Sequence, residues 1–430
     1  MSGFSPNYTH KTGGAGALLT IAFRNIFRNA RRTMFCVIAV GAAVFFIIFY
    51  SSLIGGMLAS MREAVYVFEL GHVRAVSAAY EAETEYNPVQ YPVAEGKSLE
   101  AVLASIRAIP EVRAAFPRIS AYATLQETSI KHAALWGLNM AEEAAANHFN
   151  LTDRNNGLVE GRYPEPHANE CAVGARFAEK AGLGIGDTIP LKTLSAQFSD
   201  KLFEPVITGI FRFDYAKADG ETIILDFKRL QRLLSLGDAA QQIVVYGHSP
   251  TQSGPIAAAL AGILNSGDVI TRWEEQYWIV LMDAYQPLYY AMYLVFLVVA
   301  CLLIVNTITM IIHERIKEIG MMGSLGMTRA EIVRVFFFES VFLAMAGATA
   351  GLVLGGLLTG IGQFFPVRWT GMMGGESAFA QIPAASAIFF AFSPAGLLKS
   401  WCMGVAVASL FTLIPSLKSA FVEPVEALRR

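Results

Sequence analysis

The sequence predicts a membrane protein with four transmembrane helices in a one-plus-three arrangement, and a large α+β extracytoplasmic domain between helices 1 and 2. Two observations predict this class: four long apolar stretches lie near the two ends of the chain, and a more polar insert separates the first from the second. The composition agrees, because 54% of the 430 residues are hydrophobic and only 16% are charged, whereas soluble domains carry about a quarter charged residues.

The four apolar stretches predict transmembrane helices at 34–58, 288–312, 335–364 and 397–415. At a rise of about 1.5 Å per residue, each of the first three exceeds the roughly 30 Å of hydrocarbon to be crossed. The first stretch is also longer than the apolar region of a cleaved signal peptide, so we expect it to remain in the protein. The fourth ends at Pro415, which makes its limits the hardest to place from sequence.

Basic residues predict the orientation of the spans. Arginine and lysine cluster in 1–33, 313–334 and 416–430, whereas the loop 365–396 offers only Arg368. By the positive-inside rule both termini are cytoplasmic and the insert, 59–287, is extracytoplasmic. Apolar residues recur at helical spacing within 1–33, with arginines on another face, which predicts an amphipathic helix in the cytoplasmic headgroup layer.

The sequence lacks the residues that several classes of function require. The central parts of the four apolar stretches contain no Asp, Glu, Lys, Arg or His, and charges appear only at the edges, as at Glu339. This disfavours an ion-coupled carrier. The net charge of −2 argues against a nucleic-acid partner. His313 and Glu314 begin like a zinc-protease motif, but Lys317 stands where the second histidine would be. We therefore predict no catalytic residue, no cofactor and no metal in this chain.

The insert predicts a mixed α+β domain. Apolar runs predict strands at Ala133–Leu138, Pro205–Phe211 and Thr222–Leu225, and helical patterns predict helices at Phe227–Leu236 and Pro255–Leu264. Cys171 is the only cysteine in this insert, so an internal disulfide is excluded and an ordinary apolar core must stabilise it.

The third predicted span carries glycine at four-residue intervals, at Gly347, Gly351 and Gly355. Small residues at this spacing let two helices approach closely. The sequence leaves two interpretations open, close packing within one subunit and packing between subunits.

Segments within 22–32, 157–189, 203–211, 313–340 and 423–429 resemble parts of the FtsX/MacB-type ABC transporter permeases, a mechanotransmission family. The stretch from His313 to Ser340 resembles the segment that joins the second and third spans in that family, and the tail 423–429 is similar too. Within the insert, Gly157–Ile189 is similar to the family's periplasmic core domain. The resemblance touches both ends and the middle of the chain.

The resemblance implies a dimer of four-span subunits, formed with a second copy or a paralogous permease, which sits on a pair of ATPases in the bacterial inner membrane. ATP-driven closure would pass through a cytoplasmic coupling helix to the periplasmic domains. The residues that would contact the ATPase are Glu314, Arg315, Lys317, Glu318, Ile319, Gly320, Leu325, Gly326 and Met327. Since the sequence has no Walker A motif, ATP and Mg would be bound by a separate ABC ATPase subunit.

Within the family, the tetrapeptide from Gly71 to Arg74 resembles the lipoprotein-releasing LolC/LolE-like branch. The leading expectation is therefore extraction or release of lipoproteins or other amphiphiles, with a lipoprotein client or a periplasmic adaptor as partner beside membrane lipid. One alternative is a tripartite efflux permease for drugs, peptides or haem. Another is an FtsX-like regulator of a periplasmic cell-wall hydrolase.

Overall fold

The computed structural model describes residues 20, 23–24, 30–82, 88–125, 130–147, 149, 156–314, 321, 327–365, 367–368 and 387–420. The chain divides into two compact units. The helical unit contains residues up to Gly55 together with 286–365 and 390–430. The sheet domain contains residues 56–285 and 366–389.

The described part of the helical unit contains four long helices: α1 (Ala30–Ala64, whose residues after Gly55 belong to the sheet domain), α10 (Gln286–Glu314), α11 (Arg329–Gly362) and α12 (Pro394–Ala420). The helices α1, α10 and α12 include their predicted spans and extend beyond them at both ends, whereas α11 begins six residues before its predicted span and ends at Gly362, two residues before the predicted end. Among the described residues, three helical stretches are long and apolar enough to cross a membrane, namely Thr33–Leu70, Arg329–Gly362 and Pro394–Phe411. The start of α11 is fixed by a capping box, in which Thr328 and Glu331 satisfy each other's backbone N–H groups.

The helical unit packs α1 against α11 and α12. Val40, Val44 and Ile48 of α1 share a buried cluster with Ala348 of α11 and Ala408 of α12. On α12 the indole N–H of Trp401 donates to Thr349 Oγ1 on α11, at 3.1 Å. Small residues at these contacts allow the close helix approach that membrane bundles need, where no hydrophobic effect drives helices together.

The sheet domain contains strands and helices in the mixed order that the sequence predicts. Its strands are β1 (Val73–Ser77), β2 (Val112–Leu125), β3 (His132–Leu138), β4 (Leu158–Gly161), β5 (Glu170–Gly174), β6 (Leu191–Leu194), β7 (Asp200–Phe203), β8 (Val206–Phe211), β9 (Thr222–Asp226), β10 (Gln242–Gly247) and β11 (Asp268–Arg272), with the short pair β12 (Val367–Arg368) and β13 (Ala387–Ile388). Its helices are α2 (Ala78–Ala82), α3 (Leu99–Arg107), α4 (Met140–Ala146), α5 (Ala175–Ala181), α6 (Ala216–Glu221), α7 (Phe227–Leu233), α8 (Ser253–Ile263) and α9 (Tyr277–Ala284).

The described strands β1–β11 form one mixed sheet in the order β11-β1-β10-β2-β3-β9-β5-β8-β4, with β6 and β7 joined to β2 as a hairpin. Most neighbours are antiparallel, but β3 with β9 and β5 with β8 are parallel. In β9, Ile223 and Leu225 face one buried cluster while Ile224 faces another. Both faces of the sheet are therefore covered, which explains why this strand reads as a continuous apolar run.

The predicted elements of the insert are confirmed with small shifts. The three predicted strands correspond to β3, β8 and β9, and the two predicted helices to α7 and α8. The helix α7 ends at Leu233, three residues before the predicted end. The helix cannot continue through Ser235, because the φ of this residue is 58°, a left-handed conformation that terminates a helix.

Candidate functional site: the end of helix α1 in the sheet domain

Helix α1 does not stop at Ala64 but widens into a π-helical segment at Val65–Leu70. The segment ends at Gly71, whose φ is 63°. A Cβ atom at this position would lie 2.5 Å from Val244 Cγ1 and 2.8 Å from the carbonyl oxygen of Val245. Gly71 is thus required both by its conformation and by its contact with β10. π-Helical turns are rare in proteins, and those that occur often lie at functional sites.

The end of this segment is bound by a buried arginine from the middle of the sheet. Arg118 of β2 donates to the carbonyl oxygens of Phe68 at 2.9 Å and Val67 at 3.2 Å. A helix end leaves several carbonyl groups without intrahelical partners, and a cation is favoured there by the helix dipole. Arg118 satisfies two of these groups with a single charged side chain.

Glu143 of α4 neutralises Arg118. Its carboxylate accepts from Arg118 at 2.7 and 3.1 Å, and the two side chains are 0% and 5% exposed. Tyr246 of β10 completes the set, because its hydroxyl accepts from Arg118 at 2.9 Å and donates to the carbonyl oxygen of Val67 at 3.0 Å. Burial acts to lower the pKa of Arg118, but the charge and hydrogen bonds of Glu143 and Tyr246 raise that pKa above its ordinary value. Arg118 therefore stays charged.

An aromatic cluster holds the neighbouring side chain. Phe68 stacks on Tyr215 and Phe213, with ring centroids 4.9 and 5.3 Å apart. Phe149 and Trp136 lie at 6.0 and 6.3 Å. These spacings fall within the range in which aromatic rings attract one another beyond their burial. The backbone of the segment is thus held by polar contacts and its Phe68 side chain by apolar ones.

Helix α9, which leads the chain out of the sheet domain, packs on the same segment. Ile279 and Met282 share a buried cluster with Met61, Val65 and Leu70. The carboxylate of Glu69 accepts from Tyr215 Oη at 3.2 Å and from Gln276 Nε2 at 2.9 Å. The two segments by which the chain enters and leaves residues 56–285 are therefore joined to each other within the sheet domain.

The tetrapeptide after the π-helical segment has local structural roles. Gly71 ends the segment, and His72 accepts the backbone N–H of Gly247 on its Nδ1 at 2.8 Å. Burial lowers the pKa of His72 to about 4, and Arg113 lowers it further, so this ring is neutral at physiological pH. Arg74 pairs with Glu81 at 2.7 Å.

Asp219 of α6 supports the loop that carries Phe213 and Tyr215. It is buried, and its Oδ1 accepts the backbone N–H of Phe213 at 2.7 Å. Burial raises the pKa of Asp219 to about 7, and Asp214 adds to the rise, whereas the Phe213 N–H, Arg176 and Arg212 oppose it.

This raised pKa predicts a pH-dependent stability. The folded domain holds the Asp219 proton more tightly than the unfolded chain, so this group's contribution is complete below about pH 4 and is lost as the pH rises to about 7. Asp219→Asn keeps the acceptor oxygen without the charge. We expect it to stabilise the sheet domain by up to about 4 kcal/mol at pH 8 and to have little effect near pH 4. Urea unfolding of both proteins at the two pH values measures this, and an equal difference at both values would contradict it.

The predicted ATPase-contacting residues fall mostly outside the described part of the chain. Arg315, Lys317, Glu318, Ile319, Gly320, Leu325 and Gly326 lie there. Glu314 is the last residue of α10, but its side chain is outside the described set. Met327 is described and packs against the cluster that contains Ile332 and Phe336, immediately before α11.

The predicted helix-packing glycines all lie on α11 and face α1 within one chain. A Cβ atom at Gly351 would be 2.3 Å from the carbonyl oxygen of Gly41, and one at Gly347 would be 2.7 Å from Val40 Cβ. At Gly355 it would be 3.0 Å from Ile48 Cγ2. In this chain the glycines therefore permit close contact between its own helices.

Sequence reasoning missed Arg118 and Glu143. Arg118 lies two residues after Phe116, so in a strand the two share a face, and a charge beside a buried aromatic residue could have marked the position. Nothing in the local pattern of α4 separates Glu143 from its exposed neighbour Glu142.

Comparisons with known proteins agree with this architecture. Residues 33–263, more than half of the chain, match the MacB-like periplasmic core domain, and residues 290–424 match the FtsX-like permease C-terminal domain. The uncharacterized ABC transporter permease YknZ of Bacillus subtilis is 33% identical over 127 residues, which cover 29% of this chain and 27% of that relative. The macrolide export ATP-binding/permease protein MacB of Nitrosomonas europaea is 23% identical over 236 residues, 54% of this chain and 30% of that relative.

Among solved structures, the periplasmic region of MacB from Actinobacillus actinomycetemcomitans aligns with a TM-score of 0.33 and 10% identity, over 51% of this chain and 98% of that one. The chain aligns with less than a third of the length of YknZ and of the Nitrosomonas MacB. The two domain matches nevertheless cover both of its units in the order that the sequence predicts. The chain belongs to the ABC transporter permeases of the MacB/FtsX type, which carry a MacB-like periplasmic core domain and an FtsX-like permease domain.

Proposed function

We propose that this chain is the permease subunit of an ATP-driven ABC complex, and that it transmits motion of a separate ATPase across the bacterial inner membrane to its sheet domain. One observation carries the proposal. The apolar helix α1 continues without a break into the π-helical segment, whose end is bound by Arg118 in the sheet domain. A continuous hydrogen-bonded helix that is fixed at its end passes a displacement to whatever holds that end.

The energy source in this proposal is a partner subunit. The 430 residues contain no Walker A motif, so ATP and Mg²⁺ would be bound by the ATPase, which docks on the segment Glu314–Met327. The basic residues of 1–33, 313–334 and 416–430 support cytoplasmic termini and a periplasmic sheet domain. A second copy or a paralogous permease would complete the membrane bundle.

The client we propose is a lipoprotein or another amphiphile that is extracted or released at the outer leaflet. A chain that carries both apolar helices and a large domain outside the bilayer suits a client that is itself partly in the membrane. His72 and Arg74 have local structural partners, so the tetrapeptide gives no independent support for a lipoprotein. The second candidate is efflux with a periplasmic adaptor, which is favoured by relatives named as macrolide export proteins.

Co-purification separates the two clients. The chain is purified with its ATPase from the native membrane, and bound lipoproteins and lipids are identified by mass spectrometry. Enrichment of a lipoprotein supports release. Enrichment of a periplasmic adaptor instead, together with increased macrolide sensitivity when the chain is deleted, supports efflux.

The coupling segment gives the direct test of the permease role. Glu318→Ala and Gly320→Trp are expected to weaken docking of the ATPase about tenfold or more, because residues at the centre of an interface commonly contribute this much. ATP hydrolysis by the purified complex measures the effect. Glu179→Ala, on an exposed turn of α5, is the matched control. Unchanged hydrolysis in both coupling variants would show that this segment does not contact the ATPase.

A further inference from the structure

We propose that Arg118 is the positioning residue that transfers displacement of helix α1 to the sheet domain. The set formed by Arg118, Glu143 and Tyr246 is called the carbonyl clamp below. The proposal rests on the proposed function, since it names the contact through which the motion would enter the sheet domain.

The carbonyl clamp consists of directional hydrogen bonds to the backbone of the segment, whereas the ring contacts of Phe68 are not directional. Its bonds to the carbonyl oxygens of Val67 and Phe68 measure 2.9 to 3.2 Å, and such bonds fail when the acceptor moves by much more than a few tenths of an ångström or turns away. The rise per residue of an α-helix is about 1.5 Å, so a slip of α1 by one residue would break all of them. The rings around Phe68 tolerate sliding, because stacked aromatic contacts vary widely in offset. The clamp therefore fixes the axial position of the segment through its backbone carbonyl groups, beside the hydrogen bonds that hold the Glu69 side chain.

Stability alone does not explain the buried charges. Removing an arginine and a glutamate from water carries a large desolvation cost, and apolar residues of similar volume are often as stabilising or more so. Packing of the core therefore does not account for the charged residues of the clamp. The buried carbonyl groups of Val67 and Phe68 lack intrahelical donors, and apolar side chains could not supply them.

The clamp also distributes force over the sheet. Arg118 lies on β2, which pairs with β3, β10 and β6, and its backbone stands opposite Gln242 of β10. Glu143 lies on α4, directly after β3, and Tyr246 lies on β10. A load on the carbonyl groups of Val67 and Phe68 would thus reach several neighbouring strands through one guanidinium group.

The test removes the Arg118 and Glu143 side chains of the clamp together, so that no buried unpaired charge is left. Arg118→Met and Glu143→Leu are combined in the full chain, which is purified with its ATPase in lipid nanodiscs. Nitroxide labels are placed at Glu179→Cys in the sheet domain and Gln363→Cys in the helical unit, both exposed positions, on a background without other cysteines. The distance between the labels is measured with ATP and with ADP. The melting temperature and the rate of ATP hydrolysis are measured on the same samples.

We expect the nucleotide-dependent change in distance to fall to less than half of its value in the labelled protein with an intact clamp. Tyr246 still donates to the carbonyl oxygen of Val67, so the melting temperature should fall by no more than a few degrees, and ATP hydrolysis should continue. A matched control, Arg162→Gln with Glu170→Gln, removes an ion pair of 2.6 Å elsewhere in the sheet domain and should keep the full change. A merely structural role would not produce this combination.

A full change in distance in the double variant, at an unchanged melting temperature, would overturn the proposal. If the double variant does not fold, Arg118→Lys decides by the same criterion, since lysine keeps the charge beside Glu143 but cannot span both carbonyl groups as a planar fork. A complex with an intact clamp that shows no nucleotide-dependent change would overturn the proposed function, and this inference with it. If only the role of the clamp is wrong, the complex with an intact clamp still shows the nucleotide-dependent change in distance, so the two failures can be told apart.

Discussion

Phe68→Ala is expected to lower the free energy of unfolding of the sheet domain by about 3–5 kcal/mol, the usual cost of removing a buried aromatic side chain. Phe68 is buried and contacts Tyr215, Phe213, Phe149 and Trp136. These residues come from the loop after β8, the segment after α4 and strand β3, so the cavity would not be filled by the movement of one side chain. The protection of β9 and β10 amides against hydrogen exchange in the full chain measures the loss.

Phe68→Leu is the matched control for this prediction. It keeps most of the apolar volume and loses only ring contacts, so its expected cost is smaller, about 1–1.5 kcal/mol. Both variants leave the hydrogen bonds of the carbonyl clamp in place, because those bonds use backbone oxygen atoms. Equal costs for the two variants would mean that the surrounding rings close over the missing side chain. The assignment of Phe68 as the main apolar anchor would then be wrong.

Gly351→Leu is expected to separate α1 from α11 and to destabilise the helical unit by about 3 kcal/mol or more, the upper end for overpacking a tight contact. The added Cβ would lie 2.3 Å from the carbonyl oxygen of Gly41 and 2.9 Å from Val44 Cβ. Since the first of these atoms belongs to a helix backbone, it cannot rotate away as a side chain could. Thermal unfolding of the full chain in a mild detergent measures the change.

Gly356→Leu tests the same substitution on the other side of the same helix. A Cβ atom there would meet only Leu397 Cδ1, at 3.6 Å, which is an ordinary contact. We expect this variant to unfold within a few degrees of the unmodified protein. If Gly351→Leu and Gly356→Leu shift the melting temperature equally, the close approach of α1 to α11 does not stabilise the helical unit. The four-residue spacing of the glycines on α11 would then need an explanation other than contact with α1.

The secondary structure of the insert could be predicted where the pattern of apolar residues was strong. The strand at Thr222–Leu225 and the helix after it were recognisable because a run of apolar residues and then a helical pattern occur within a short window. The cap of α7 is local too, since Asp226 accepts the backbone N–H of Arg229 three residues on. Such contacts involve neighbours in the chain, and periodicity reports them directly.

The carbonyl clamp could not be predicted in that way. Arg118 meets Glu143 across 25 positions, Phe68 across 50 and Tyr246 across 128. Its formation depends on the pairing of β10 with β2 and on the position of α4 over the end of α1. Neither of these tertiary contacts can be predicted from the local spacing of apolar residues. The end of α1 could not be predicted either. The hydropathy of the chain falls after Leu58, but the α-helix continues to Ala64 and is followed by the π-helical segment up to Leu70.

By itself, the sequence determined the class of this protein: long apolar helices near both ends, a large α+β insert between the first two, and the segments that resemble the MacB/FtsX permeases. These features depend on composition and on spacing along the chain, which hydrophobic burial converts directly into helices and strands. Only the tertiary structure decided that the glycines of α11 face α1 and that a buried arginine holds the end of that helix. Both depend on atoms brought together from distant parts of the chain, where close packing and unpaired carbonyl groups select the partner.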